Sequence, residues 1–404
     1  MTDRSSQRRG GAGLPGAAPP AGGVGPVQSK RVVVATPDHP LLLACGRALD
    51  HVEVAYETYG TLNPARDNAI YLCHALTAGC HAAGVCADTG ELGWWDRMVG
   101  PGRAIDTNRW FVVCGNLLGS CLGTTGPSSI DPATGVPYGL TFPPIHIADQ
   151  VAVHRRLCAA LGVDELHAVV GPSIGGMQAL QWMLDAPEQI ARMLLIATTG
   201  RLTTENRAFS AAGRQAILDD PGFEGGRYLE GKGPGPERGL AAARRFAHIT
   251  YVSAEALDAK LGDEPPAAWP PPAADAWLAP SREVERYLEY QGTSFVRRFD
   301  ALSYLYLTRP MDDFDPFGAE HSSAARGAFA RRPDAEFTVV SFDSDWRFGT
   351  DHSVRLAGAL REHGARHVDR FELHTPLGHD AFLLEVPGLE GIVRDALEAP
   401  STSS

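Results

Sequence analysis

The stretch VVGPSIGGMQALQW, residues 169–182, restricts this chain more than any other segment. Ala168, Val169 and Val170 have the character of the end of a buried strand, and Met177, Leu180 and Leu184 recur at helical spacing. Between them Gly175 and Gly176 offer no side chain to collide across a sharp bend. Strand, tight turn and helix therefore meet at Ser173. That context lifts a hydroxyl above the sheet edge and leaves the N–H of the next residue, Ile174, free to bind an oxyanion. The G-x-S-x-G pattern alone is short, so its weight depends on what surrounds it.

What surrounds it is an alternation of strands and helices. From about Arg31 to Gly200 the runs HVEVAYETYG, AIYLCHAL, RWFVVCGNL, LHAVVG and ARMLLIAT are strand-like, with helical segments or turns between them. From Arg201 to about Arg331 the chain turns helical, in TENRAFSAAGRQAIL and RGLAAARRFAHITYVSAEALDAKL, interrupted by the proline-rich GDEPPAAWPPPAADAWLAP. Strand character returns at AEFTVVSF and RHVDRFELH, and LEGIVRDALEAP closes the chain with a helix. Core, helical insertion, core is the resulting plan: a mostly parallel sheet flanked by helices over 31–200 and 332–400, with a helical lid over 201–331. An α/β-hydrolase fold is expected.

Composition narrows the function. A formal net charge of −12 disfavours nucleic acid as a partner, because phosphate binding depends on clustered cations. Only Lys30, Lys232 and Lys260 are lysines, so basic positions are nearly all arginine and a lone Arg carries little information. The seven cysteines show no C-x-x-C spacing, which argues against structural zinc and against a disulfide framework. Residues 1–30, rich in Gly, Pro and Ala, contain no apolar targeting core and are expected to form a disordered tail. No apolar run reaches membrane length. A cytoplasmic enzyme without metal is expected.

In this fold the nucleophile is followed along the chain by an acid and then a histidine. FTVVSFDSDWRF supplies Asp343 and Asp345 just past a strand, and HTPLGHDAFL supplies His374 and His379 after the next. A histidine must take the proton of Ser173 while a carboxylate on its other ring nitrogen fixes the tautomer. Spacing suits His379 for the base and leaves both aspartates open for the acid.

Several long segments in order resemble the homoserine O-acyltransferase family. They are YETYGTLNPARDNAIYLCHALTAGCHAAG, the segment from GWWDRMVGPG to GLTFP, GPSIGGMQALQW, RFDALSYLYLTRPMDDFD and GHDAFLLE, covering about Glu53 to Glu385. The resemblance implies Ser173 as nucleophile, Asp345 as acid and His379 as base, with an oxyanion hole from the N–H groups of Ile174 and Leu76. It implies Arg244 and Asp380 as the pair that binds the amino acid, Arg245 being the neighbouring alternative, and leaves Ser128 and Ser129 as turn residues. A guanidinium suits an α-carboxylate and a carboxylate suits an α-ammonium. Pro172 stands where the family usually has Gly, and TAGCHAAG departs from the commoner Thr-Gly-Asp-x-His-Ala loop.

The activity implied is transfer of an acyl group from acyl-CoA to the hydroxyl of L-homoserine, a step in methionine biosynthesis. Acyl-CoA is a co-substrate and no other cofactor is implied; the lid is expected to join two copies in a homodimer. Two residues past the acid, succinyl-using members resemble this chain in having Arg, here Arg347, whereas acetyl-using members typically have an apolar residue. Succinyl-CoA is therefore the expected donor, with acetyl-CoA the alternative; serine O-acylation and plain ester hydrolysis are the remaining rivals.

Overall fold

Successive residues along the central strands bury into two separate cores, as in a sheet covered on both faces. Tyr71, Val113, Val169, Met193 and Val339 face one core, and Leu72, Val112, Val170, Leu194 and Val340 the other. In the computed structural model the described residues are 23–399, apart from 232, 263–273, 275–277 and 280–281. The sheet comprises β1 (Lys30–Ala35), β2 (Val52–Tyr59), β3 (Ala69–Leu72), β4 (Phe111–Gly115), β5 (Leu166–Pro172), β6 (Ile190–Ile196), β7 (Glu336–Phe342) and β8 (His367–Leu373). Its spatial order is β8-β7-β6-β5-β3-β4-β2-β1. Only β2 runs against the others, pairing antiparallel with β4 and β1.

Helices α1 (Ile147–Ala160) and α2 (Ile174–Asp185) cover one face, burying Val151, Leu157, Met177 and Leu180. The closing helix Leu389–Glu398 covers the other through Leu389, Val393 and Leu397. Between β6 and β7 the described residues form α3 (Thr204–Leu218), α4 (Glu237–Ile249), α5 (Ala254–Leu261), α6 (Glu283–Val296), α7 (Ala301–Asp313) and α8 (Ser322–Arg331), and no strand. This is the α/β-hydrolase arrangement.

Two local expectations are revised. The helical stretch 238–261 is two helices, because the Ser253 hydroxyl accepts from the Ala256 N–H at 3.0 Å and starts α5 afresh. The expected disordered stretch 1–30 lies outside the described residues as far as residue 22, but its last part is ordered. Pro26–Val27 pairs in parallel with Val85–Cys86, and the Ser29 hydroxyl donates at 2.6 Å to the buried carboxylate of Glu57. A buried acceptor that needs donors fixes a segment whose composition gave no sign of order. The proline-rich break at 262–280 lies mostly outside the described residues.

Candidate active site

Ser173 follows the last residue of β5 and precedes α2, with φ 57° and ψ −124°. A non-glycine residue at positive φ costs on the order of 1–3 kcal/mol, so the surroundings must enforce it. They do so through the Ser173 N–H, which donates to the Ile196 carbonyl at 2.9 Å, and its own carbonyl, which accepts from Thr198 Oγ1 at 2.6 Å. Gly175 is forced by close approach: a β-carbon there would lie 1.9 Å from the Cys73 carbonyl oxygen. Pro172 lacks an N–H, yet the bend survives because the bond to Ile196 is made by the next residue.

The loops after β7 and β8 bring two groups to the serine. His379 Nε2 lies 3.0 Å from Ser173 Oγ, and its Nδ1 lies 2.7 Å from Asp345 Oδ2. The other oxygen of Asp345 accepts from the N–H groups of Arg347 and Phe348, both at 2.9 Å. Asp345 and His379 are 2% and 3% exposed, so the chain of bonds runs out of water. Asp343 is not part of it: it bonds the solvent-facing His374 at 2.8 Å and the Thr375 N–H at 2.9 Å. The rings of Phe348 and Phe382 meet the His379 imidazole edge-on. The lid also holds the histidine loop, because the Asp380 N–H donates to the Tyr251 carbonyl at 3.0 Å and a β-carbon at Gly378 would come within 2.5 Å of the Ser253 nitrogen.

Leu76 and Ile174 follow the neighbouring strands β3 and β5, which are joined at this end by the 2.9 Å bond from the Cys73 N–H to the Val170 carbonyl. Among the described residues neither the Leu76 nor the Ile174 N–H donates to a protein acceptor, which leaves both for a ligand oxygen. The loop bearing Leu76 is braced from behind. Tyr59 Oη accepts from the N–H groups of Ala82 and Ala83, His81 Nδ1 bonds Glu57 at 3.0 Å, and His74 Nε2 bonds Asn116 at 3.1 Å. Burial holds the His74 pKa down at about 4, so that ring is neutral.

Guanidinium groups gather over two aromatic rings beside the triad. Tyr251, whose ring centre is 5.8 Å from that of His379, carries Arg244 at 5.5 Å and Arg347 at 5.7 Å. Phe295 carries Arg244 at 4.9 Å and Arg298 at 5.2 Å. Arg347 is 6% exposed and donates to Thr250 Oγ1 at 3.1 Å. None of the three forms an ion pair with a carboxylate among the described residues. Arg245 instead lines a separate cleft between α3, α4 and α6, with Asp220, Arg238 and Arg297. Asp380, half-buried next to His379, has its pKa raised by burial, against the opposing pull of His379 and Arg244. Ser129 is a turn residue: its hydroxyl accepts from the Gly126 N–H at 3.0 Å.

The sequence did not single out Tyr251, Phe295 or Arg298. Arg298 opens the RFDALSYLYLTRPMDDFD motif, but in so arginine-rich a chain its identity carries no signal until the ring beneath it is known.

Comparison with known proteins agrees with the fold. The family described as "alpha/beta hydrolase fold" matches residues 68–385. A homoserine O-succinyltransferase of Nocardioides sp. is 54% identical over 368 residues, covering 91% of this chain and 97% of that protein. The chain belongs to the homoserine O-acyltransferase family. A second member, a homoserine O-acetyltransferase of Rhodopseudomonas palustris, is 48% identical over 372 residues and covers 92% and 91% of the two chains. The crystal structure of homoserine O-acetyltransferase from Bacillus anthracis superposes with a TM-score of 0.81 at 27% identity, over 94% of this chain and 99% of that one. Family membership thus leaves succinyl and acetyl donors side by side.

Proposed function

We propose that this protein transfers a succinyl group from succinyl-CoA to the hydroxyl of L-homoserine through an acyl-enzyme on Ser173. The observation that carries the reading is the buried hydrogen-bonded series Ser173, His379, Asp345 set beside guanidiniums that make no close ion pair with a carboxylate among the described residues. Ser173 Oγ attacks the thioester carbonyl as its proton passes to His379 Nε2, and the oxyanion takes hydrogen bonds from Ile174 and Leu76. Collapse breaks the carbon–sulfur bond, and the departing thiolate takes the proton from His379. Homoserine then enters, its hydroxyl gives a proton to His379 while attacking the ester, and that proton returns to Ser173 as O-succinylhomoserine forms. No cofactor is consumed beyond acyl-CoA as co-substrate, and the product serves methionine biosynthesis.

Arg244 and Asp380 take the α-carboxylate and α-ammonium of homoserine. Arg347 is the donor-selecting residue. A buried carboxylate left unpaired costs several kcal/mol, and a bidentate guanidinium offsets that cost where an apolar side chain does not. An acetyl group gives Arg347 no partner.

The same reading includes a homodimer through the lid, supported by the exposed Leu218, Phe246, Ile249 and Tyr290 on α3, α4 and α6. It also includes the cytoplasm, supported by seven free cysteines. No helix among the described residues is long and apolar enough to cross a membrane.

Thiol release from succinyl-CoA and acetyl-CoA, with and without homoserine, tests the proposal, together with the mass of the protein after exposure to each donor. Homoserine-dependent release favouring succinyl-CoA, with a 1:1 adduct on Ser173, is expected. The preference should fall or reverse in Arg347→Leu. Release without homoserine would assign a hydrolase instead, and a wild type preferring acetyl-CoA would overturn the role of Arg347.

A further inference from the structure

Three guanidiniums face the site, whereas the two carboxylates of the proposed substrates, the homoserine α-carboxylate and the free end of the succinyl group, occupy only Arg244 and Arg347. Arg298 is left over. It lies two residues past the end of α6, and its position is fixed from two sides. Cys121 of the long signature segment contacts its carbonyl oxygen and accepts from the Asp300 N–H at 3.3 Å, so the backbone of residues 298–300 is pinned to the core. Its side chain crosses Phe295 and sets Nη1 at 3.4 Å from the carbonyl of Thr77, the residue after Leu76. One face of Phe295 is stacked by Phe299, with ring centres 4.9 Å apart, which confines the remaining approaches that Arg244 and Arg298 share.

Two like charges brought this close to one ring repel each other, and neither makes a close ion pair among the described residues, although Asp380 lies in the field of Arg244 and Glu91 in that of Arg298. Although water reaches Arg298, the protein packed around it and the charge of Arg244 pull its pKa down to about 10. Two guanidiniums without a close ion pair that converge on one ring offer a fork geometry suited to a carboxylate. Which anion follows from placement. Arg347 is reached from Arg244 across Tyr251, on the side of the triad acid, whereas Arg298 is reached across Phe295, on the side of the oxyanion loop.

We infer that Arg298 and Arg244 form a two-guanidinium clamp on the α-carboxylate of the acceptor amino acid, Arg298 selecting α-amino acids against simple amino alcohols. The clamp rests on the proposed acyl transfer to homoserine. It explains why the lid end is tied to the oxyanion loop: the acceptor is held by groups fixed relative to the carbonyl it must attack.

The test compares homoserine with 3-aminopropan-1-ol, which is homoserine without its carboxylate, in wild type, Arg298→Met and Arg298→Lys. Loss of one charge-assisted contact should raise the homoserine KM of Arg298→Met about ten- to hundredfold. The penalty should fall on KM and not on the burst of thiol release that reports acylation of Ser173. Arg298→Lys should recover part of it, and with 3-aminopropan-1-ol wild type and Arg298→Met should be equal. An unchanged homoserine KM overturns the clamp, as does a penalty that persists with 3-aminopropan-1-ol, which would mark a structural role, or one that falls on the burst, which would place Arg298 at the donor. Calorimetric binding of both acceptors to the unacylated protein gives a readout independent of turnover. If wild type shows no homoserine-dependent turnover, the proposed function fails; the clamp itself fails if the Arg298→Met change leaves homoserine binding as it was.

Discussion

Replacing Asp345 by Asn tests the triad with little change in shape. One carboxylate oxygen accepts two backbone N–H groups, from Arg347 and Phe348, and the other meets His379 Nδ1 at 2.7 Å. An asparagine that keeps its carbonyl on the two backbone donors turns its NH2 toward Nδ1. The imidazole must then offer a lone pair there and carry its proton on Nε2, where it donates toward Ser173 and cannot accept. The opposite amide orientation restores the productive tautomer but sets NH2 against two buried N–H groups. Leaving both unsatisfied costs about 1–3 kcal/mol each, or about 2–6 kcal/mol together. At 1.36 kcal/mol per tenfold, turnover through that minority form is slowed between about 30-fold and about 30,000-fold, and a serine triad losing its aspartate falls near the upper end, about 10⁴-fold.

Steady-state thiol release at saturating donor and homoserine measures the loss, and thermal unfolding within a few degrees of wild type would show the fold intact. Asp343→Asn, on the exposed partner of His374, should retain nearly full activity. The reasoning is refuted if Asp345→Asn stays within threefold of wild type, or if Asp343→Asn is the more damaging change.

Ser173→Gly should abolish the acyl adduct while raising stability by about 1 kcal/mol, because glycine adopts φ 57° without strain; an unfolding midpoint below that of wild type would contradict the strain. Arg214 and Asp312 form a buried pair at 2.5 Å between α3 and α7, so Arg214→Ala should destabilise by about 3–5 kcal/mol in urea titration, and a loss under 1 kcal/mol would show the pair to be incidental. Burial works to raise the Glu57 pKa, but hydrogen bonds from His81, Ser29 and Tyr59 outweigh it and hold it below 4.5; burial works to lower that of His81, and Glu57 holds it above 6.5. The carboxylate's contribution is present above 4.5 and lost as pH falls through its depressed value, while that of the imidazolium is full below 6.5 and lost as pH rises through its raised value. The stability gap between wild type and Glu57→Gln should therefore be widest between pH 4.5 and 6.5, and a gap that does not vary with pH would remove the ion pair from the account.

Much of this protein was legible in one dimension because its determinants are local. The turn at Ser173 needs small residues at fixed offsets, the strands announce themselves by β-branched runs, and the order nucleophile, acid, histidine follows from where the last strands end. Asp345 could not be separated from Asp343 by spacing alone, since two residues apart in a loop both are in reach; the backbone N–H groups of Arg347 and Phe348 turn one inward, while His374 holds the other in solvent. Arg244 and Arg245 are likewise neighbours on α4 that only packing sends to different sides, one over Tyr251 and one into the cleft beside α3. Order at residues 26–30 was hidden because its cause, the buried Glu57, lies far along the chain. Tyr251 and Arg244 lie more than forty residues before Phe295 and Arg298 in sequence. Their meeting is decided by the lid's docking on the core: which side chains share a ring is fixed by long-range packing, and no local propensity encodes it.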